Sequence, residues 1–193
     1  PPELLTAERP VDLTDETMAE HRQKILTVMQ REKLDFLFIY ADREHGANFG
    51  WLTGFGPRFE EAVLVLHQDG RAYLLLGNES VKMGKYARIK AEVIPVPYFS
   101  LPNQPMTGER SLKESIQAAG ITAGMAGGMV GWKMFTSRCE DNDRIYDLPY
   151  FLVDTLAEIV GGSERICNMT RLFIDPEGGV RTCVNENEVA HFE

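Results

Sequence analysis

Residues 62–77 read AVLVLHQDGRAYLLLG, which is two apolar runs on either side of Gln68-Asp69-Gly70. Asp-Gly is a strong signal for a tight turn between antiparallel strands, because both residues tolerate positive φ angles. The segment therefore predicts a β-hairpin, and His67 beside the turn is expected to be exposed to solvent. The hairpin is the clearest local signal, and the other helices and strands are assigned along the sequence on either side of it.

The regions on either side of the hairpin alternate between helical and strand-like patterns. Thr14 or Asp15 is a suitable N-cap for a helix that runs to about Lys33. Residues 35–40, DFLFIY, form a short apolar run typical of a buried strand. The other predicted elements are helices at 78–89, 108–119 and 148–162, and strands at 91–96 and within 120–131. This order predicts an α/β domain with a mixed β-sheet whose helices mostly cover its faces.

The composition limits the classes of function. The 193 residues are enough for one medium domain plus tails. A net charge of -9 opposes phosphate backbones and anionic lipid, so neither a nucleic acid nor a membrane is an expected partner. Three cysteines without CxxC spacing indicate neither a disulfide framework nor a zinc site, and they favour the reducing cytoplasm.

Both ends of the chain are predicted to lie outside the domain proper. The expected boundaries are an N-terminal tail at 1–13, the domain at 14–170, and a linker with the start of a following domain at 171–193. The sequence begins without methionine, and a helix-like pattern opened by Asn185 or Asn187 stops after about two turns, too short to be stable alone. We therefore expect the chain to be a fragment of a longer protein.

A metal site inside this chain is not predicted. Hydrolytic metal sites need several His, Asp and Glu ligands that converge on an open coordination position, and the chain has only four histidines. Glu188 and His191 have the i, i+3 spacing of helical di-metal sites, but those sites need two such pairs. The expected role of Glu188 and His191 is therefore a solvated helix face.

His45 has the most suggestive neighbours among the histidines. It lies beside Asp42, Arg43 and Glu44, a cluster that could hold a proton-transfer group or could simply cap and solvate a loop. Neither a G-x-S-x-G elbow nor a phosphate-binding GxxxxGK[ST] or GxGxxG pattern is present. No catalytic residue is assigned from these patterns, although a small enzyme built on the His45 cluster stays an open alternative.

The stretch before the hairpin, EHGANFGWLTGFGPRFEE at 44–61, combines glycines with aromatic side chains. The glycines predict a bent backbone from which Trp51, Phe55 and Phe59 project, either exposed or docked on a partner. Arg58 adds a guanidinium fork suited to a carboxylate. The alternative is a plain turn whose aromatic residues fold back on the core, with Glu60 or Glu61 neutralising Arg58.

One pattern extends through most of the chain. N-x-x-W-L-T-G-F at 48–55, E-E-A-V-L-V-L at 60–66, the Asp-Gly hairpin and Gly77-Asn78-Glu79 together resemble the N-terminal domain of the creatinase and Xaa-Pro peptidase ("pita-bread") metallohydrolases. A leading helix with Arg22 and a closing Arg181 agree with it. The likeness covers about residues 14 to 193 and implies the creatinase/prolidase N-terminal fold.

The resemblance also implies a function. In that family the N-terminal domain builds a homodimer, and a following domain carries two divalent metal ions, here expected to be manganese, cobalt or zinc. No residue of this chain matches a metal ligand or a catalytic residue of that second domain. The loop matching 50–59 is implied to reach the partner subunit's active site, with Trp51, Phe55, Arg58 and Phe59 as candidates for substrate access or subunit contact, together with His45.

Three interpretations of the whole protein stay open after the resemblance. The first is the non-catalytic domain of a Xaa-Pro dipeptidase or aminopeptidase that acts on peptides. The second is a creatinase-type amidinohydrolase, and the third is a catalytically inactive module that binds peptides or proteins. Self-association through an exposed sheet edge and the 50–59 loop is expected in each case.

Overall fold

The computed structural model describes residues 10–104, 110–135 and 143–192 of the chain, and most predicted elements are present in it. The helices are α1 (Asp15–Arg31), α2 (Ala47–Thr53), α3 (Leu112–Ala118), α4 (Tyr150–Val160), α5 (Arg171–Ile174) and α6 (Glu186–Phe192). The strands are β1 (Phe36–Ala41), β2 (Ala62–His67), β3 (Ala72–Leu76), β4 (Glu92–Pro95), β5 (Gly127–Val130) and β6 (Ile166–Asn168).

The six strands form one mixed sheet in the order β4-β3-β2-β1-β5-β6. The three central strands β1, β2 and β3 pair antiparallel, whereas β4 pairs parallel with β3, and β5 and β6 continue parallel from β1. Parallel neighbours need a crossover connection, which α4 supplies between β5 and β6. The predicted α/β class and mixed sheet are therefore confirmed.

The Asp-Gly hairpin is present as the sequence predicts. Ala62 pairs with Leu76 at its open end, and Gly70 in the turn has a φ of +87°. Arg22 on α1 donates from Nη2 to the Gly70 carbonyl oxygen at 2.6 Å. A Cβ atom at residue 70 would lie 2.8 Å from that same Nη2 atom, so both the backbone angle and the Arg22 contact require glycine.

The core lies on both faces of the sheet, because side chains alternate along each strand. In β1, Leu37 and Ile39 face a cluster that includes residues of α1, α2 and α5, whereas Phe36 and Phe38 face a second cluster that includes residues of α3 and α4. All four side chains are fully buried. Helices thus cover both faces, which explains why β1 and β2 are apolar at nearly every position rather than at every second one.

Helix α1 begins at the predicted cap. The Thr14 hydroxyl oxygen accepts a hydrogen bond from the Thr17 backbone N–H, and the helix ends at Arg31. Its buried residues include Met18, Ile25 and Met29 at helical spacing, and Ile25 and Met29 belong to the cluster against the sheet. None of the helices within the described residues is long and apolar enough to cross a membrane.

Two local predictions are wrong. Residues 78–89 form only a short 3-10 helix, Val81–Tyr86, whose Gly84 lies so close to Val93 that a Cβ atom there would lie 2.5 Å from a methyl carbon. His67 is buried rather than exposed, since its Nε2 lies 2.7 Å from the carbonyl oxygen of Ala119 at the end of α3. In both cases a residue outside the local segment contacts the position concerned.

Residues beyond 170 contribute to the core. Leu172, Phe173 and Val180 belong to the cluster on the α1 side of the sheet. Helix α6 then lies against α1, where Asn187 accepts from the Thr14 backbone N–H through Oδ1 at 2.9 Å. The C-terminal segment therefore packs on the same body as α1 up to the last described residue.

Candidate functional site between β1 and β2

The stretch expected to be a bent turn is partly helical. Helix α2 spans Ala47–Thr53, and the bend predicted from glycine is confined to the residues after it. Gly54 ends the helix in the left-handed conformation, with a φ of +75°, and donates its backbone N–H to the Gly50 carbonyl oxygen. A Cβ atom at residue 54 would lie 2.4 Å from Cγ of Arg88. Glycine is therefore required at 54 both for the helix end and for the approach of Arg88.

Asn48 joins three distant parts of the chain. Its buried side chain donates from Nδ2 to the Gly131 carbonyl oxygen at 2.8 Å, directly after β5. Its Oδ1 accepts from Nη1 of Arg181 at 2.7 Å. Burial lowers the pKa of Arg181 from its ordinary value. This network fixes α2 at the carboxyl end of the parallel strands, a role that the sequence pattern alone did not reveal.

Trp51 faces the interior of the protein. Its indole stacks on the imidazole of His21 with ring centroids 4.0 Å apart, and its edge packs against Phe173. The indole Nε1 donates to Oε1 of Glu188 at 3.4 Å. Trp51 therefore connects α1, α2, α5 and α6, and its side chain is only partly exposed.

Glu188 is buried, so the expectation of a solvated helix face is wrong for this residue. Its Oε1 lies 2.8 Å from Nε2 of His21. Its backbone N–H donates to Oδ1 of Asn185, whose own backbone N–H donates to Oε2 of Glu188, both at 2.9 Å. This reciprocal capping box begins α6 and turns the carboxylate toward α1. His191 on the same helix is exposed, as expected.

Phe55, Arg58 and Phe59 lie beyond α2 and differ in exposure. Phe55 is half-buried and meets Phe49 edge to face at 5.4 Å between ring centroids. Phe59 is 58% exposed, and the Arg58 guanidinium carbon lies 5.9 Å from its ring centroid. Of these three residues, Arg58 and Phe59 are thus the two available at the surface for another molecule.

The two glutamates after Phe59 do not neutralise Arg58. Within the described parts of the chain, no ion pair joins Arg58 to Glu60 or Glu61. Glu60 is buried and accepts from the backbone N–H groups of Glu79 and Ser80 at 3.0 Å. It therefore anchors the loop to the segment that follows β3.

Glu61 has a different environment from Glu60. Burial, reinforced by the nearby Asp42 carboxylate, raises the pKa of Glu61 above its ordinary value, and a hydrogen bond with Tyr40 opposes the rise. Burial, together with the carboxylates of Glu61 and Asp42, raises the pKa of Tyr40 as well. Two carboxyl groups thus approach each other at the carboxyl end of β1.

His45 is placed beside Asp42, as the sequence suggested. Its Nδ1 lies 3.0 Å from both carboxylate oxygens of Asp42, and its ring stacks on Trp132 at 4.1 Å. Burial opposes ionisation of Asp42, but hydrogen bonds from His45 and from the Glu44 backbone outweigh it, so the pKa of Asp42 is lowered. Asp42 caps the loop, and Arg43 and Glu44 are exposed.

A cavity of about 370 Å³ opens between the loop after β1 and the loop before β2. Its lining includes Asp42, Glu44, Phe59, Glu60 and Glu61. The structure therefore brings Phe59 and the Asp42 loop to one place, whereas Trp51 lies in a separate cluster with His21. Among the residues that the structure describes, no group of three or more His, Cys, Asp or Glu is arranged to hold a metal ion.

Sequence reasoning missed His21 and the burial of Glu188. The available signal for His21 is its position, because residue 21 falls on the buried stripe of α1 between Met18 and Ile25. A polar side chain on such a stripe needs a buried partner. The partner lies 167 positions away along the chain and could not be identified from spacing.

Comparisons with known proteins agree on the fold. No protein-family model and no curated protein sequence matches the chain. The structure is similar to the creatinase/prolidase N-terminal domain of an X-Pro dipeptidase from Streptococcus pyogenes, with a TM-score of 0.52, 17% identity, and coverage of 79% of this chain and 94% of that one. A Creatine_N superfamily domain of a dipeptidase from Streptococcus thermophilus gives a TM-score of 0.54, 13% identity, and coverage of 79% and 94%.

A longer solved structure has the same fold over part of its length. The prolidase from Pyrococcus horikoshii OT3 matches with a TM-score of 0.56 and 16% identity, over 88% of this chain but only 37% of the prolidase. At such identities the likeness concerns the fold alone. The six-stranded mixed sheet with helices on both faces is the fold of the creatinase/prolidase N-terminal domain.

Proposed function

We propose that this chain is the non-catalytic N-terminal domain of a metal-dependent hydrolase that cleaves Xaa-Pro peptides. The observation that carries the proposal is the fold, since separate N-terminal domains of dipeptidases match 79% of this chain and are themselves 94% covered by it. In this proposal two divalent metal ions, manganese, cobalt or zinc, are bound by a following domain. Metal-activated water in that domain carries out the hydrolysis.

The contribution of this chain is assembly and substrate access. The exposed Phe59 and the adjacent Arg58 form the contact with a second subunit, because a cationic fork beside an aromatic ring suits a peptide carboxylate or an acidic neighbour. Phe55 stabilises the start of the loop by packing edge to face on Phe49 of α2. Trp51 positions the loop through its interior contacts rather than by touching substrate.

The catalytic part of the proposal is tested with the isolated 193-residue chain. We expect no hydrolysis of a Xaa-Pro dipeptide when manganese, cobalt or zinc is added, because the ligands belong to another domain. The coding region after residue 193 should encode two aspartates, one histidine and two glutamates at metal-site spacing. Metal-dependent cleavage by this chain alone, or a coding region without those ligands, would contradict the proposal.

The assembly part is tested by sedimentation equilibrium. We expect the chain to self-associate, and Arg58→Ala and Phe59→Ala to weaken the association. Tyr150→Ala is the matched control, since Tyr150 is also an exposed aromatic residue but lies on α4 rather than in the loop. A monomer at high concentration, or equal weakening by all three substitutions, would remove the dimer contact from the proposal.

A binding module without catalysis is the second candidate. It is favoured by one observation, the cavity lined by Asp42, Glu44 and Glu61 beside the exposed Phe59, which suits a basic peptide. The coding region after residue 193 distinguishes the two candidates. A creatinase-type amidinohydrolase would keep the metal ligands, and substrate assays on the full-length protein would separate it from a Xaa-Pro peptidase.

A further inference from the structure

The imidazole of His21 has a hydrogen-bond acceptor against each of its ring nitrogens. Nδ1 lies 2.8 Å from the backbone carbonyl oxygen of Trp51, and Nε2 lies 2.8 Å from Oε1 of Glu188. The side chain is fully buried. A carbonyl oxygen can only accept, so Nδ1 must carry a hydrogen atom. A second proton must then lie between Nε2 and the Glu188 carboxyl group.

Without that second proton the contact is repulsive. The lone pair of Nε2 would face a lone pair of Oε1 at 2.8 Å, and the buried pair would carry a net negative charge that no solvent screens. With the proton present the pair is neutral overall, whether it is written as imidazolium and carboxylate or as imidazole and carboxylic acid. The folded chain therefore keeps this second proton between Nε2 of His21 and the Glu188 carboxyl group.

The other groups around Glu188 favour its ionised form. The Trp51 indole donates to Oε1, and the Asn185 backbone N–H donates to Oε2. A carboxylate that accepts several N–H groups is stabilised relative to the acid. The proton therefore belongs to His21, as an imidazolium stacked under the Trp51 ring at 4.0 Å.

The elements packed around His21 contribute few other charged groups. On α1, the Glu20 carboxylate is ion-paired with Lys24 at 2.7 Å, accepts from Nδ2 of Asn185 at 2.9 Å, and interacts electrostatically with His21. Helix α2 contributes only the Trp51 carbonyl and ring, and α5 contributes the apolar Phe173, which packs on Trp51. In the described parts of the chain, Glu188 on α6 is the single ion-pair partner of His21.

The same proton fixes the position of α6. Among the described residues, the other hydrogen bonds that α6 makes to α1 and its cap are exposed or only partly buried: Asn187 Oδ1 accepts from the Thr14 backbone N–H and from Thr17 Oγ1, each at 2.9 Å. The buried contact between the two helices is His21 with Glu188. Loss of its proton removes the contact that also orients Trp51 and hence the end of α2.

We propose that His21 and Glu188 form a proton-dependent latch that holds α6 and Trp51 against α1 and opens as the pH rises. This inference concerns the domain itself and does not depend on the proposed function. An unfolded chain loses the second imidazole proton near its ordinary pKa of about 6.5 and ionises its glutamates near about 4.3. Between those values the folded and unfolded forms of the pair hold equal numbers of protons.

The sign of the pH effect follows from proton counts. Above about pH 6.5 the unfolded pair has lost the second proton, whereas the folded pair keeps it between Nε2 and Glu188. Unfolding therefore releases one proton. The equilibrium constant for opening then increases about tenfold per pH unit for as long as the latch keeps its proton. The latch therefore contributes its full stability between about pH 4.3 and about pH 6.5 and loses it as the solution becomes alkaline.

The first test is the protonation of the histidine ring nitrogens in the 193-residue chain, measured from ¹⁵N chemical shifts in solution. His67 is the internal control, because it is also buried and its Nε2 lies against the Ala119 carbonyl oxygen rather than against a carboxylate. We expect both nitrogens of His21 to carry hydrogen at about pH 7.5, above the ordinary histidine value, and only one nitrogen of His67. A His21 ring with one bare nitrogen would overturn the proposal.

The second test is hydrogen exchange of the α6 backbone amides at about pH 6 and about pH 9, corrected for intrinsic exchange rates. We expect the protection factors of the unmodified chain to fall by about tenfold or more. Glu188→Gln should remove this pH dependence, because the introduced amide donates to a neutral imidazole. Glu186→Gln, at an exposed position on the same helix, should keep it. The same pH dependence in all three chains would contradict the latch.

Discussion

The two halves of the segment between β1 and β2 have similar composition and opposite orientations. The first half, α2, directs Asn48 and Trp51 into the protein, where they meet Gly131, Arg181 and Glu188. The second half, residues 54–61, presents Arg58 and Phe59 to solvent. Both halves carry glycine next to aromatic residues, so glycine and aromatic content alone does not decide which side chains are exposed.

The difference is explained by the availability of distant partners. An indole N–H or a side-chain amide can be buried only when a hydrogen-bond partner is present, and α2 is placed where β5 and α6 supply them. In the second half Glu60 holds the loop by accepting from the Glu79 and Ser80 backbone N–H groups, whereas Arg58 and Phe59 face outward. The polar side chains of α2 are thus held inward by partners from distant elements, whereas Arg58 and Phe59 lack such contacts among the described residues and are available for binding.

The largest expected contrast is between two aromatic substitutions. Trp51→Ala should lower the free energy of unfolding by about 3 kcal/mol, because it removes packing against His21 and Phe173 and leaves a cavity. Phe59→Ala should change it by less than about 0.5 kcal/mol, since its ring is exposed. Urea denaturation followed by circular dichroism measures both. Equal losses would show that the two halves do not differ in packing.

A smaller effect is expected at the anchor of the outward half. Glu60→Gln replaces one accepting oxygen by an amide group that faces the Glu79 and Ser80 N–H groups, and should cost about 2 kcal/mol. Glu44→Gln, at an exposed position in the neighbouring loop, is the control and should be nearly neutral. The same denaturation experiment applies. A neutral Glu60→Gln would mean that the loop is held by other contacts.

The next prediction concerns Glu61, which follows Glu60, and the pH dependence of the free energy of unfolding. The raised pKa of Glu61, caused first by burial and then by Asp42, means that the folded chain binds a proton more readily than the unfolded chain. Its contribution to stability therefore falls as pH rises from the unfolded value of about 4.3 through the higher folded value. In urea denaturation across this pH range, Glu61→Gln should be stabilising at neutral pH and should flatten the slope, whereas Glu44→Gln should leave the slope unchanged.

The smallest effect is expected in the Asp42 loop. Hydrogen bonds from His45 hold the pKa of Asp42 below its ordinary value against the opposing effect of burial. His45→Ala should therefore raise the Asp42 pKa, as measured by carboxyl ¹³C titration, with little change in stability because both side chains are 33% exposed. Arg43→Ala is the control. An unchanged Asp42 titration in His45→Ala would assign the lowering to the loop backbone alone.

Local patterns predicted the parts of the fold that depend on neighbouring residues. The Thr14 cap, the apolar run before Ala41 and the Asp-Gly turn each act over a few positions, and all three are present. At 78–89 a 3-10 helix forms in place of the predicted helix, and its Gly84 packs closely against Val93. This segment contacts the edge strand β4, and local propensity alone did not predict its conformation.

The candidate site was predicted only in part, for the same reason. The sequence identified the segment at 44–61 and the Asp42–His45 contact, which spans three positions. It did not identify β6, whose three residues are too short for a periodic signal, or the burial of Glu188. His21 stood on the buried stripe of α1, but its partner is separated from it by nearly the whole chain.

The sequence by itself determined the α/β class, the central hairpin, the cap of α1 and the segment that carries the surface candidates. These depend on hydrophobic periodicity and on turn and cap chemistry, which act over a few residues. Only the tertiary structure decided that Trp51 faces inward, that His67 and Glu188 are buried, and that Arg58 and Phe59 face outward. Burial of a polar group depends on whether a partner reaches it, and here the partners come from strands and helices far away in sequence.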